Sequence, residues 1–126
     1  MSNLELSATA STPHVISDGD AGILEMRGDS YPENSFEFFA PIVEWVQNHL
    51  KTPDSSLRLD LHLLYLNTSS VRAMMDIFDL LEDAHDDSHA VAVQWFYDED
   101  NERIAELAEE FKEDCSFPFD ILPNPA

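Results

Sequence analysis

Asn67-Thr68-Ser69-Ser70, four small polar residues in a row, separate the apolar run Leu57–Leu66 from a stretch of helical periodicity that begins at Val71. Residues of these types at such a junction can do two things. Asn67, Thr68 or Ser69 can cap the new helix by accepting a hydrogen bond from an unpaired N–H of its first turn. The hydroxyls can also carry a phosphoryl group, because loops after the carboxyl ends of sheet strands are where α/β folds expose their sites. A phosphate there gains roughly 0.3–1 kcal/mol from the helix dipole and adds about −1.5 to −2 charges to the surface. Capping is the simpler reading on residue types alone, and phospho-acceptance is compatible with it.

Other groups of reactive residues are less organised. His85 and His89 flank Asp86 and Asp87, a composition able to bind a metal, but the segment reads as a turn in which the two rings need not share a face. The run Asp98–Glu102 resembles the first half of a calcium loop, yet Arg103 stands where the glycine is required. Cys115 sits in an acidic stretch, which raises a thiol pKa rather than activating it. His62 lies within a strand pattern and reads as structural, and no nucleophile has a base beside it. With three glycines in the chain there is no phosphate-cradling loop. Met74, Met75, Trp45, Trp95, Phe96 and Tyr97 read as core. No enzyme activity, metal or cofactor is expected, although a small enzyme built on the histidines and carboxylates is the rival from another class. "GDSYPENSFEFF" reads as a turn leading into a capped helix, and its Tyr31 and Pro32, if exposed beside acids, form a candidate contact surface.

These residues need elements to hold them. Residues 1–11 are small and polar and read as a flexible leader, with part of an edge strand at most. Residues 12–126 read as one domain. Thr12–Asp18 and Gly22–Gly28 pattern as a hairpin. Asp29–Leu50 holds a helix with two capping pairs, Ser30/Glu33 and Asn34/Glu37, and with Phe36, Phe39, Val43, Val46 and Leu50 on one stripe. Pro41 should kink that helix or detach its first turn. Leu57–Leu66 alternates and then turns continuously apolar, as in a strand entering mid-sheet. Val71, Met74, Met75, Phe78 and Leu81 mark a second helix, and Ala90–Asp98 a further strand. Glu99–Asp114 marks a third helix capped by Asp98 or Asp100. Phe117–Leu122 reads as an edge strand limited by Pro118. The expected fold is α/β, a single mixed sheet of about four to five strands packed with three helices.

Charge narrows the partners. Twenty-six acidic residues face six basic ones, for a net charge of −20. Such a chain cannot neutralise phosphates, which argues against nucleic acid and against an anionic membrane surface. A basic protein partner fits better. One cysteine permits no internal disulfide. The first residues lack the basic start and apolar block of a signal peptide, and no apolar run approaches the roughly 20 residues of a membrane helix. A cytoplasmic location is expected.

"TPHV", "GDSYPENS", "YLNTSS", "VQWFYDEDNER" and "CSFPFDI" occur in this order at spacings that resemble the SiaC family of bacterial regulatory phosphoproteins, from about Thr12 to Ile121. "SYPEN" together with "LNTSS" is the specific part. The resemblance implies a fold similar to anti-sigma-factor antagonist (STAS-like) domains. It implies a partner switch, with phosphorylation at Thr68 and partner contacts at Asn67, Ser69, Ser70, Tyr31, Pro32, Glu33 and Asn34. The partners it implies are a protein kinase with a histidine-kinase-like ATPase fold, a metal-dependent serine/threonine phosphatase and a diguanylate cyclase. The unphosphorylated form would activate the cyclase and so control cyclic-di-GMP and biofilm formation or aggregation. An anti-sigma-factor antagonist acting on a sigma-factor pathway is the rival binding function.

Overall fold

Alternation of strand and helix from residue 23 onward sets the architecture. A computed structural model describes residues 3–124. In chain order the elements are β1 (Glu5–Leu6), β2 (His14–Asp18), β3 (Ile23–Ser30), α1 (Ser35–Lys51), β4 (Ser56–Leu66), α2 (Thr68–Asp86), β5 (Ala90–Tyr97), α3 (Glu102–Glu113) and β6 (Phe119–Pro123). The strands form one mixed sheet of six, in spatial order β1-β2-β3-β4-β5-β6. β1, β2 and β3 pair antiparallel, whereas β3 through β6 pair parallel. Three parallel steps in one direction, each through a right-handed crossover, put all three helices on the same face. The other face is open.

The sixth strand, β1, lies at one edge, where the sequence pattern is shortest. β1 falls within the stretch read as a flexible leader; from residue 3 onward that stretch is tied down. Leu4 N–H donates to Ser17 Oγ and Gly19 N–H to Asn3 Oδ1, and Glu5 and Leu6 lie opposite Ile16 and Val15. Residues 1 and 2 of that leader lie outside the described residues.

The core fills the space between sheet and helices. Leu57, Leu59, Leu61 and Leu63 of β4 point into it together with Leu24 and Met26 of β3 and Val91, Val93 and Trp95 of β5. α1 contributes Phe39, Ile42, Trp45 and Val46, α2 Met74, Ile77, Phe78 and Leu81, and α3 Ile104, Ala108 and Phe111. On the open face the His62 ring stacks on Phe96 with centroids 4.6 Å apart. Partial burial, and then the charge of Arg27, lower the pKa of His62.

Pro41 does not detach the first turn of α1: the helix is one element over Ser35–Lys51. The bond that proline removes would have ended on the carbonyl of Glu37, an exposed first-turn residue whose oxygen water can serve. The α3 cap is Asn101, whose Oδ1 accepts from Ile104 N–H at 3.2 Å, and neither Asp98 nor Asp100. The continuous apolar stretch at the end of β4 has a local cause. Register shifts between Gly28 and Asp29, so that Gly28 faces Leu63 while Asp29 faces Tyr65. Gly28 adopts φ 115°, a region that glycine enters freely. The bulge reverses the inward phase of β4: Leu63 and Leu66 are buried, and Leu64 and Tyr65 are exposed.

Candidate functional site

The bulge places two things at the carboxyl edge of the sheet: an exposed pair, Leu64 and Tyr65, and an inward anchor, Leu66, opposite Ser30. Directly beyond Leu66 the chain turns into α2. Asn67 is its N-cap, in extended conformation, and its Oδ1 accepts from Ser70 N–H at 2.9 Å. The carbonyl of Asn67 accepts from Val71 N–H, and its own N–H donates to the Ser30 carbonyl at 2.9 Å. The end of β3 therefore holds the start of α2 through the backbone.

The three hydroxyls that follow have three different fates. Ser70 is fully buried; its Oγ donates to the Ser30 carbonyl at 3.0 Å and lies 2.8 Å from Ser30 Oγ. It positions the corner from inside, and no partner can touch it without unfolding that corner. Ser69 is exposed, but its Oγ donates to Asn67 Oδ1 at 3.1 Å and lies 2.5 Å from Ser35 Oγ on α1. Thr68, the first residue of α2, is exposed, and its hydroxyl makes no hydrogen bond to the described residues.

The "SYPEN" segment runs beside this corner. Tyr31 N–H donates to the Ser11 carbonyl and its phenol to the Ala10 carbonyl at 2.5 Å. Its ring meets Tyr65 edge to face at 6.0 Å. Pro32 is buried, so it shapes the loop and presents no surface; Glu33 and Asn34 are exposed. Asn34 caps α1, its Oδ1 accepting from Glu37 N–H at 3.0 Å and its Nδ2 donating to Glu37 Oε2. Of the two capping pairs in the sequence, Asn34/Glu37 forms the cap. Ser30 is spent on Ser70 instead.

Phe36 departs most from its expected place. Its spacing put it on the buried stripe of α1, but it is 86% exposed. The residues facing the sheet are Phe39, Ile42, Trp45, Val46 and His49. Phe36 belongs to the adjoining row 36-40-43-47, which lines a groove of about 510 Å³ between α1 and α2. Ser69, Arg72, Ala73 and Asp76 form its α2 wall. Tyr31, Phe36, Leu64 and Tyr65 are four exposed large apolar side chains on the segments that lead into α1 and α2 or, for Phe36, in the first turn of α1. Sequence reasoning passed over Ser35, Leu64, Tyr65 and Arg72. A serine directly after an N-cap, and an alternation broken at Leu63-Leu64, were the available hints.

The other reactive residues stand apart. His89 Nδ1 lies 2.8 Å from the Ser55 carbonyl, at the opposite edge of the sheet. Among the described residues no three His, Cys, Asp or Glu side chains converge as a metal site. Burial, reinforced by Glu82, Asp114 and Asp79, pushes the Cys115 thiol up to about 11. No helix among the described residues is long and apolar enough to cross a membrane.

Comparison with known proteins agrees with the motifs. The family model described as SiaC family regulatory phosphoprotein matches residues 6–124. An uncharacterized protein of Pseudomonas aeruginosa (strain UCBPP-PA14) is 58% identical over 121 residues, 96% of each chain. The solved structure of SiaC of Pseudomonas aeruginosa superimposes with a TM-score of 0.93 at 55% identity, covering 98% of this chain and 100% of the other. An equally similar SiaC chain, 56% identical with TM-score 0.93 and covering 96% of this chain and 99% of that one, was solved in complex with the diguanylate cyclase SiaD, whose activator it is.

Proposed function

The chain belongs to the SiaC family of regulatory phosphoproteins, and from that premise we propose that its unphosphorylated form binds and activates a diguanylate cyclase, with phosphorylation of Thr68 switching the activation off. The activator role is supported by the similar SiaC chain solved with its cyclase. The choice of Thr68 is supported by one observation above all: of the three consecutive hydroxyls, its own is exposed and uncommitted, while Ser69 is bonded on two sides and Ser70 is buried.

A protein kinase with a histidine-kinase-like ATPase fold adds the phosphate, and a metal-dependent serine/threonine phosphatase removes it. The chain itself works by binding, in the cytoplasm, rather than by catalysis. The apolar rim of Tyr31, Leu64, Tyr65 and Phe36 packs against the cyclase, and Asn67, Ser69, Glu33 and Asn34 supply polar contacts around it. Cyclic-di-GMP output, and with it biofilm formation or aggregation, follows the unphosphorylated fraction.

A phosphate on Thr68 must be desolvated on docking and brings about two negative charges with it. A change of about 2.7 kcal/mol is a hundredfold in affinity, so no large conformational change is needed.

The test has two parts. Kinase-treated protein is mapped by mass spectrometry, and purified unmodified, Thr68→Ala and Thr68→Asp proteins are titrated against the cyclase. Phosphate is expected on Thr68, with activation retained by Thr68→Ala and binding weakened about tenfold or more by Thr68→Asp. Phosphate found solely on Ser69, the other exposed hydroxyl, refutes the assignment. Cyclase activity indifferent to the unmodified protein refutes the function.

A further inference from the structure

Cations are scarce in this chain, six against 26 acids, so the position of each one carries information. Arg27 pairs with Glu25, and Arg58 with Asp60. Among the described residues Arg72 forms no ion pair, although Asp76 lies one turn ahead of it on α2 and Glu44 shares its groove from α1. Arg72 is exposed and is the one cation among the groove-lining residues. It stands four residues after Thr68 on the same helix. Side chains at i and i+4 are neighbours, with Cβ atoms about 5–6 Å apart. Helical side chains lean toward the N-terminus, so the surface that Arg72 covers is the turn that begins with Thr68.

We propose that Arg72 is the residue that receives the Thr68 phosphate: on phosphorylation its guanidinium folds back one turn, forms a charge-assisted pair with the phosphate oxygens and leaves the α1/α2 groove. This rests on Thr68 as the acceptor and adds the device by which the modification is read. A guanidinium matches phosphate oxygens in a planar, two-pronged geometry that a lysine cannot reproduce. The phosphate carries up to two charges and three acceptor oxygens, against one charge each on Glu44 and Asp76, so it attracts the arginine more strongly than either. The groove then loses its cation while its mouth, at Ser35 and Ser69, gains a dianion beside it. A partner that had placed a carboxylate against Arg72 loses that contact and meets repulsion as well.

Phosphorus NMR on full-length protein with phosphothreonine installed at position 68 during synthesis tests the pairing. Because the phosphate is placed there directly, the result does not depend on which hydroxyl the kinase chooses, and the mass-spectrometric test above remains separate. The native sequence is expected to show its second phosphate ionisation about half to one pKa unit below that of Arg72→Gln. Arg72→Lys should recover part of the lowering, and 1 M NaCl should shrink it. Lys112→Gln removes one positive charge at the far end of α3 and is expected to leave the titration in place; the helix N-terminus contributes equally to all of these proteins. Superimposable titrations of native and Arg72→Gln proteins overturn the proposal, as does an equal shift from Lys112→Gln. A purely structural role for Arg72 would change stability without moving the phosphate titration.

Discussion

Removing the Ser70 hydroxyl should cost more than removing its partner on Ser30, and the two losses should not add. Both side chains are fully buried, so neither can turn to water. Ser70→Ala deletes two contacts, the bond to the Ser30 carbonyl at 3.0 Å and the hydroxyl pair at 2.8 Å. The Ser30 carbonyl keeps the Asn67 N–H, but Ser30 Oγ is left buried without a partner, a penalty of about 1–3 kcal/mol. Ser30→Ala removes only the hydroxyl pair, because Ser70 Oγ still donates to a backbone carbonyl; about 0.5–1.5 kcal/mol is expected. The double variant strands no hydroxyl. Its loss should fall below the sum of the single losses by about 1 kcal/mol. Urea denaturation read by tryptophan fluorescence measures all four proteins. With a slope of about 1–3 kcal/mol/M, Ser70→Ala should lower the midpoint by roughly 1 M. Equal and additive losses would refute the reasoning, since they would mean that the two hydroxyls act independently. The loosened corner also carries Thr68, so cyclase activation should fall with Ser70→Ala, although no partner touches that side chain.

The cap itself offers a simpler test: Asn67→Ala should cost about 1 kcal/mol and Asn67→Asp far less, measured by the same denaturation, because only a side-chain oxygen can accept from Ser70 N–H. Phe36→Ala should leave stability within about 0.5 kcal/mol while weakening cyclase binding about tenfold, as isothermal titration would show; a core role would give the opposite pattern. Cys115 should alkylate about a hundredfold more slowly than an ordinary thiol at pH 8, since its pKa moves from 9.0 to about 11. The folded state then holds the thiol proton that the unfolded chain gives up, so this residue's contribution to stability is lost as pH rises from about 9 to about 11.

Local chemistry was legible where one element suffices to define it. Small polar residues followed by helical periodicity announce a cap at Asn67, Thr68 or Ser69, and Asn67 makes it. Period-two and period-3.6 patterns located every element from β2 to β6 in order, with "VQWFYD" in a strand and "ERIAELAEEF" as an amphipathic helix. The "SYPEN" and "LNTSS" segments pointed to the family without any geometry. β1 was harder to read because two residues carry no period; only their pairing with β2 makes them a strand.

What the sequence determined by itself is the set of elements, the corner at which strand β4 becomes helix α2, and the presence of three hydroxyls there. Which hydroxyl is free was decided by tertiary structure. Ser70 is silent because Ser30, forty residues earlier, meets it inside the core; Ser69 is engaged because the start of α1 lies against the start of α2; Thr68 is left over. The same holds for Phe36, whose spacing fits two adjacent rows of one helix, and for Tyr65, whose exposure depends on a bulge in the pairing of β3 with β4. Periodicity specifies direction around one element's own axis. Burial depends on what stands opposite, and that is set only when separate elements share a register and a face.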